Sequence, residues 1–289
     1  MDYRQIVTYH KMKKADITVS AVRVRVEEAA GRLGVLEEDQ YHRVVGFNEK
    51  PPQPGTIVGA PEHVLGSMGV YVFRAGALRE ALQEPEDDFG KGVIPKAISR
   101  GRDIFVYDYE QENKIEDFAV EVKDGIRHKV LVERTRDSSY WKDIGSIDSY
   151  HEASMDLVSV DPPFNLYGEQ WPIRAYERSL PPSKFIFGGK APDSMVSDGC
   201  IISGSMVWKS ILSPGVVVER DALVEESIIF DDVNIEPGAR IKRAIIDTRV
   251  RIKSGVSIGY DLEADARKGC TILDKGIAVV SEGMVVERD

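Results

Sequence analysis

Only two cysteines occur in 289 residues, Cys200 and Cys270. Two unclustered thiols make neither a disulfide framework nor a metal-ligand spacing, and they suit a reducing compartment. Histidine is equally sparse. His10, His42, His63, His128 and His151 are scattered, and none follows His151. No apolar run approaches the roughly 18 residues of a membrane span. The start, Met1-Asp2-Tyr3-Arg4-Gln5-Ile6, lacks the pattern of a signal peptide and reads instead as the middle of a helix. These absences point to a cytoplasmic protein with no membrane partner. Basic residues are outnumbered, 38 Lys and Arg against 48 Asp and Glu, for a net charge of -10. A nucleic-acid binder normally carries a basic face, so that class is excluded. An anionic ligand then requires its few cations to converge locally.

What is present is ordinary globular composition, 42% hydrophobic and 30% charged, in a chain long enough for two domains. Ile6, Val7, Tyr9 and Met12 follow a helical face, and Asp16 to Val26 is a β-rich segment. Val45-Gly46-Phe47-Asn48-Glu49-Lys50-Pro51 reads as a strand that Pro51, Pro52 and Pro54 end abruptly. An acid and a base thus sit at the mouth of a strand, where parallel-sheet folds place their ligand sites. A lysine ammonium there suits a phosphate, and a glutamate suits sugar hydroxyls. Taken alone, a Glu-Lys pair at a turn is ordinary surface. Val64 to Phe73 is a strongly apolar strand, and Ala75 to Leu82 a short helix. Asp88 is placed to cap a helix running to Gly101, Ile104 to Tyr109 is a strand, and Ile147 to Leu157 a helix. Strands alternating with helices predict an α/β domain over residues 1–160.

Between residues 161 and 184 five prolines interrupt any regular element, while Phe164, Leu166, Tyr167, Trp171 and Ile173 stay apolar, which predicts an ordered connector. The period then changes to six. Ile211, Val217, Leu223, Ile229, Ile235 and Ile241 fall on every sixth position; after a slip of one, Ile246, Ile252 and Ile258 resume it. Three sets of six make one triangular coil, so residues 185–289 are expected to form an all-β left-handed parallel β-helix of hexapeptide repeats.

Four motifs precede that solenoid in order: Phe47-Asn48-Glu49-Lys50-Pro51, Gly66-Ser67-Met68-Gly69-Val70-Tyr71-Val72-Phe73, Asp88-Phe89-Gly90-Lys91 and Tyr140-Trp141-Lys142-Asp143-Ile144-Gly145. The connector adds Trp171-Pro172-Ile173-Arg174. Together they closely resemble bacterial glucose-1-phosphate adenylyltransferase (ADP-glucose pyrophosphorylase), an enzyme of glycogen biosynthesis. The resemblance covers essentially the whole chain. It implies a Rossmann-like nucleotidyltransferase α/β domain followed by a left-handed β-helix, assembled in the full-length family as a homotetramer.

The resemblance also implies roles. Lys50 holds the phosphate of glucose 1-phosphate and Glu49 binds sugar hydroxyls. Ser67 and Tyr71 line the same pocket, which Asp88 and Trp141 shape. Asp143 is one of two aspartates that hold the catalytic Mg2+ ion. The bland alternatives stand beside these: strand residues at Ser67 and Tyr71, a helix cap at Asp88, core at Trp141, a turn at Asp143. The reaction implied is attack of glucose 1-phosphate on the α-phosphorus of ATP, giving ADP-glucose and pyrophosphate. The family's glycine-rich phosphate loop and second aspartate have no match between Met1 and Gly34. The expectation is therefore an N-terminally truncated catalytic domain, inactive alone for want of the ATP-binding loop. A non-catalytic regulatory or assembly subunit that binds sugar phosphates is the alternative. A hexapeptide acyltransferase, which uses a histidine in the coils, is disfavoured because none follows His151. Finally, Lys242-Arg243 and Arg267-Lys268 are candidates to receive an anionic sugar-phosphate effector.

Overall fold

The structure, a computed structural model, describes residues 1–83, 85–176 and 178–288, without the side chains of Thr135 and Asp137. The chain packs as two units, Met1–Trp141 with Tyr167–Pro172, and Lys142–Leu166 with Ile173–Asp289. The expected connector, 161–184, contributes to both. No helix among the described residues is long and apolar enough to cross a membrane.

The first unit opens with α1 (Tyr3–Lys13), capped by Asp2, whose carboxylate accepts the Arg4 N–H at 3.0 Å. The elements that follow are β1 (Ile17–Arg25), the single turn α2 (Val26–Ala29), β2 (Val35–Glu38), β3 (Val44–Asn48) and β4 (His63–Phe73). After α3 (Ala75–Ala81), a wide π-turn over Phe89–Val93 leads into α4 (Ile94–Ser99), β5 (Ile104–Asp108) and α5 (Tyr109–Glu112). The sheet order is β3-β2-β4-β1-β5. Only β1 and β5 run parallel; the β3–β2, β2–β4 and β4–β1 pairs are antiparallel. This corrects one premise of the sequence reading. Glu49 and Lys50 follow an antiparallel edge strand, so the mouth of a parallel sheet is not what places them. The core beneath is aliphatic, with Ile17, Val19, Leu36, Leu65, Ile94, Ile104 and Val106 buried.

An antiparallel hairpin, β6 (Glu116–Lys123) and β7 (Ile126–Glu133), completes the sheets of this unit. Asp124 and Gly125 both take positive φ, 53° and 77°, as a two-residue type I′ turn requires. A two-stranded ribbon is marginal alone. This one is tied down by Asp117, whose carboxylate accepts the N–H of Glu169 at 3.1 Å. The short α6 (Thr135–Ser139) follows.

The second unit contains α7 (Ile147–Leu157) and the solenoid. Three stacks of two- and three-residue strands pair in parallel from coil to coil, as in Leu212 with Ile229, Ile229 with Ile246, and Ile246 with Val280. The inward, fully buried column positions are Leu212, Val218, Val224, Ile229, Ile235, Ile241, Ile246, Ile252 and Ile258. One coil therefore spans 17 residues, the offset seen also in the corner bonds from Ser227 to Ser210 and from Ala244 to Ser227. The expectation of three equal sets of six is corrected accordingly. The third side of each coil is one residue short, and the slip noted once in the sequence recurs every turn. Ile211, Val217 and Leu223 are half-buried neighbours of the inward residues. Their being aliphatic hid the earlier slip.

The corners are held by backbone conformation and by hydroxyls. Lys209, Glu226 and Arg243 stack as one column of left-handed residues, with φ 45°, 46° and 46°. Lys209 and Glu226 are each followed by a serine whose hydroxyl serves the next coil, as does Ser194 one coil earlier. Ser194 Oγ accepts the Ser210 N–H, Ser210 Oγ the Ser227 N–H, and Ser227 Oγ the Ala244 N–H, each at 3.1 Å. A last short helix, α8 (Leu262–Arg267), interrupts the coils. It is anchored by the fully buried Asp265, which accepts the Gly259 N–H at 2.6 Å.

Candidate active site

Strand register brings chemistry-bearing residues to one rung across the first unit's sheet. Val35 pairs with Asn48, so Gly34 falls beside Glu49; Gly34 O accepts the Ser67 N–H at 2.7 Å; Ala21 pairs with Ser67 on one side and Asp108 on the other. The rung therefore reads Glu49, Gly34, Ser67, Ala21, Asp108. Asp108 is buried and bound by Arg23, Nη2 to Oδ2 at 2.8 Å. This pair compensates a charge that would be costly alone. Lys50 leaves the rung with φ 50°, its N–H donating to Leu33 O at 3.2 Å, and its side chain is exposed.

Ser67 and Tyr71 are four residues apart, which in a regular strand is about 13 Å. A bulge removes that distance. Val19 faces Tyr71 and Ala21 faces Ser67, so β4 carries extra residues opposite one on β1, and Gly69 supplies the φ of 71° that the bend needs. The Tyr71 hydroxyl consequently lies 3.5 Å from Ser67 Oγ. Burial raises the Tyr71 pKa against the lowering effect of that hydrogen bond, and the carboxylates of Glu49 and Asp88 raise it further. The phenol therefore stays protonated and can donate. Its ring stacks on Phe89, with centroids 5.7 Å apart. The sequence marks Phe89 only as a large aromatic directly after a helix-capping aspartate.

Asp88 caps the π-turn, its Oδ1 accepting the Lys91 N–H at 2.8 Å. The backbone N–H of Lys91, then that of Gly90 and the charges of Lys91 and Lys50, hold this carboxyl below its ordinary value. Glu49, Lys50, Ser67, Tyr71 and Asp88 are thus gathered from three separate segments: two carboxylates, an ammonium and two hydroxyls. Such a set can accept hydrogen bonds from a polyol and pair with an anionic group. Trp141 is half-buried, packed against the cluster of Ile6, Tyr9, Tyr107 and Tyr109.

Asp143 belongs to the second unit, and its Oδ1 accepts the Gly145 N–H at 3.1 Å. Among the described residues no three His, Cys, Asp or Glu side chains gather to hold a metal ion. Mg2+ needs only one or two carboxylates when phosphates and waters supply its other oxygens. Asp143 fits that minimal share and no more.

The basic pairs of the second unit separate. Lys268 Nζ binds the buried Asp265 at 3.3 Å and Ser257 O at 3.1 Å, while Arg267 ends α8 exposed. Lys242 lies on a strand beside Glu225. Arg243 lines a groove of about 650 Å³ between α7 and the corner column, together with Lys142, Lys209 and Lys275. His151, Glu152 and Asp156 line its other wall, and His151 Nε2 lies 2.9 Å from Glu226 O. Lys209 and Lys275 were not singled out in the sequence, where nothing marks them as neighbours of Arg243.

The nucleotidyl transferase family model matches residues 1–160, and the model described as GlmU-like, C-terminal hexapeptide matches 181–280. Curated proteins named glucose-1-phosphate adenylyltransferase align over nearly all of this chain. That of Anaeromyxobacter dehalogenans is 45% identical over 99% of this chain and 68% of its own length. That of Geobacter metallireducens is 42% identical over 97% and 66%, and that of Rhodopirellula baltica 40% identical over 99% and 62%. The chain thus spans about two thirds of the relatives it matches.

Proposed function

The chain belongs to the glucose-1-phosphate adenylyltransferase family of nucleotidyl transferases, and from that premise we propose that its first unit holds glucose 1-phosphate for adenylyl transfer. The observation that carries the reading is the meeting of Glu49, Lys50, Ser67, Tyr71 and Asp88 at one place. Lys50 would pair with the sugar's phosphate, and Glu49 and Asp88 would accept its hydroxyl protons. Tyr71, protonated and packed on Phe89, would donate to a sugar oxygen. So oriented, a phosphate oxygen of the sugar attacks the α-phosphorus of ATP, and pyrophosphate leaves with ADP-glucose as product, the donor for glycogen synthesis in the cytoplasm. Magnesium would be held by Asp143 together with phosphate oxygens, and it would supply neutralisation of phosphate charge.

The test is Lys50→Ala. Loss of one charge-assisted contact is worth about 1.5–3 kcal/mol, roughly one to two decades in affinity. Calorimetric titration should give that loss for glucose 1-phosphate, with ATP binding by the full-length protein little changed. Equal damage to both ligands would count against the assignment.

ADP-glucose synthesis by the full-length protein would exclude the second reading, a sugar-phosphate-binding subunit without turnover. An anionic effector and homotetrameric assembly belong to the same proposal. Arg243, with Lys209 in the same corner column, is the better candidate for the effector, since Lys268 is engaged by the buried Asp265 and Lys275 pairs with Glu152. Arg243→Ala should raise the sugar-phosphate concentration needed for half-maximal stimulation, and sedimentation velocity checks the tetramer. An unshifted response makes Arg243 a surface charge.

A further inference from the structure

Gly34 and Gly90 are glycines for a reason other than backbone freedom, because neither has a positive φ. A Cβ built on Gly90 would lie 2.5 Å from Glu49 Oε2 and 3.3 Å from Asp88 Oδ1. A Cβ on Gly34 would lie 2.7 Å from the same Glu49 oxygen and 2.6 Å from Phe47 Cζ. Two bare Cα atoms, one beside β2 and one in the π-turn, therefore bracket a single carboxylate oxygen. Among the described residues the Glu49 side chain has neither a hydrogen bond nor a salt bridge. Packing between the two glycines is what restrains it. A carboxylate held this way keeps its lone pairs for a ligand and has surrendered rotamer freedom before the ligand arrives.

We propose that Gly34 and Gly90 are positioning residues of the sugar pocket: their missing side chains form a slot that sets the Glu49 carboxylate for a sugar hydroxyl. This rests on the reading of Glu49 as a sugar-binding acid. Gly90 is the sharper handle of the two. Its neighbours are the mobile ends of two acidic side chains, whereas a methyl group at position 34 would also press on the core residue Phe47. In Gly90→Ala the Glu49 carboxylate yields rather than the backbone. The slot is lost while Lys50, which needs no slot, is untouched.

The experiment titrates the whole chain with glucose 1-phosphate and with inorganic phosphate, comparing the parent, Gly90→Ala, Glu49→Gln and Gly90→Ala/Glu49→Asp. Gly90→Ala should weaken glucose 1-phosphate binding about tenfold, the equivalent of 1.4 kcal/mol, while leaving inorganic phosphate affinity unchanged. The double variant, whose acid is shorter by one methylene, should recover part of the loss. If Gly90→Ala binds glucose 1-phosphate like the parent although Glu49→Gln does not, the slot is overturned and the sugar reading stands. Parent-like binding by Glu49→Gln overturns the sugar reading itself, and the slot with it. Equal loss for both ligands in Gly90→Ala marks general disruption and also overturns the slot. Should Gly90→Ala fold poorly, the double variant decides: recovery of fold and of sugar binding supports the slot, and failure to recover overturns it.

Discussion

The two units use irregularity in opposite ways. In the solenoid the corners repeat, one coil above another, so the column of Lys209, Glu226 and Arg243 is a regular element in its own right. In the α/β unit three departures, each occurring once, coincide with candidate chemistry. The bulge at Gly69 brings Ser67 to Tyr71, the π-turn carries Asp88 and Phe89, and the left-handed residue at Lys50 follows Glu49. Repetition spreads the cost of a strained conformation over many cooperating neighbours. A single departure must be supported locally, and its presence near polar groups is a pointer to a site.

The contrast can be broken most severely from the solenoid side. Ile241 is fully buried between Val224 and Ile258. In Ile241→Asp an unpaired carboxylate would enter a column with no polar partner, at a cost of about 4 kcal/mol or more. The second unit should fail to fold cooperatively, read as loss of its protease-resistant fragment. If a melt like the parent's survives, the coil does not depend on its inward column.

A subtler change tests the hydroxyl ladder. Ser227 is fully buried; its Oγ donates to Glu225 O at 2.6 Å and accepts the Ala244 N–H at 3.1 Å. Ser227→Ala leaves that N–H unsatisfied, so stability should fall by about 1–3 kcal/mol, measured by chemical denaturation. An unchanged midpoint would mean that the ladder is decoration.

The smallest effect is expected in the first unit. Burial holds the His10 imidazole below its ordinary 6.5, against the raising influence of Asp16. Its Nδ1 lies 2.8 Å from Thr18 Oγ1. Because the folded value is the lower one, the folded chain binds fewer protons between the two values. The associated stability is complete above pH 6.5 and is lost as pH falls through the lowered folded value. His10→Gln should flatten that part of the stability–pH curve, and an unaltered slope would assign the proton uptake elsewhere.

Much of this was legible in the sequence where a residue type has one local use. Asp88 was placed as a cap by spacing alone, and it is one. The solenoid is legible as a period, but the 17-residue coil is hidden because Ile211, Val217 and Leu223 mimic the inward residues beside them. The β6–β7 hairpin, although Asp124-Gly125 is a strong turn signal, is harder to read because its strands are mostly exposed. The bulge was invisible for the opposite reason, since Gly69 sits inside an unbroken apolar run. The slot at Gly34 and Gly90 involves residues brought together only by register, and no spacing along the chain encodes it. Lys268 looked like half of a basic pair, and only the fold reveals the buried aspartate that occupies it.

The short third side of each coil has a consequence for how such a chain can change length. Removing or duplicating one whole coil leaves every downstream side chain facing as before. A single-residue insertion within a strand turns all of that side's inward residues outward, because side chains alternate along a strand. A repeat of this kind therefore tolerates edits in whole turns and rejects small frame shifts, as a screw thread accepts a full pitch and jams on a fraction of one.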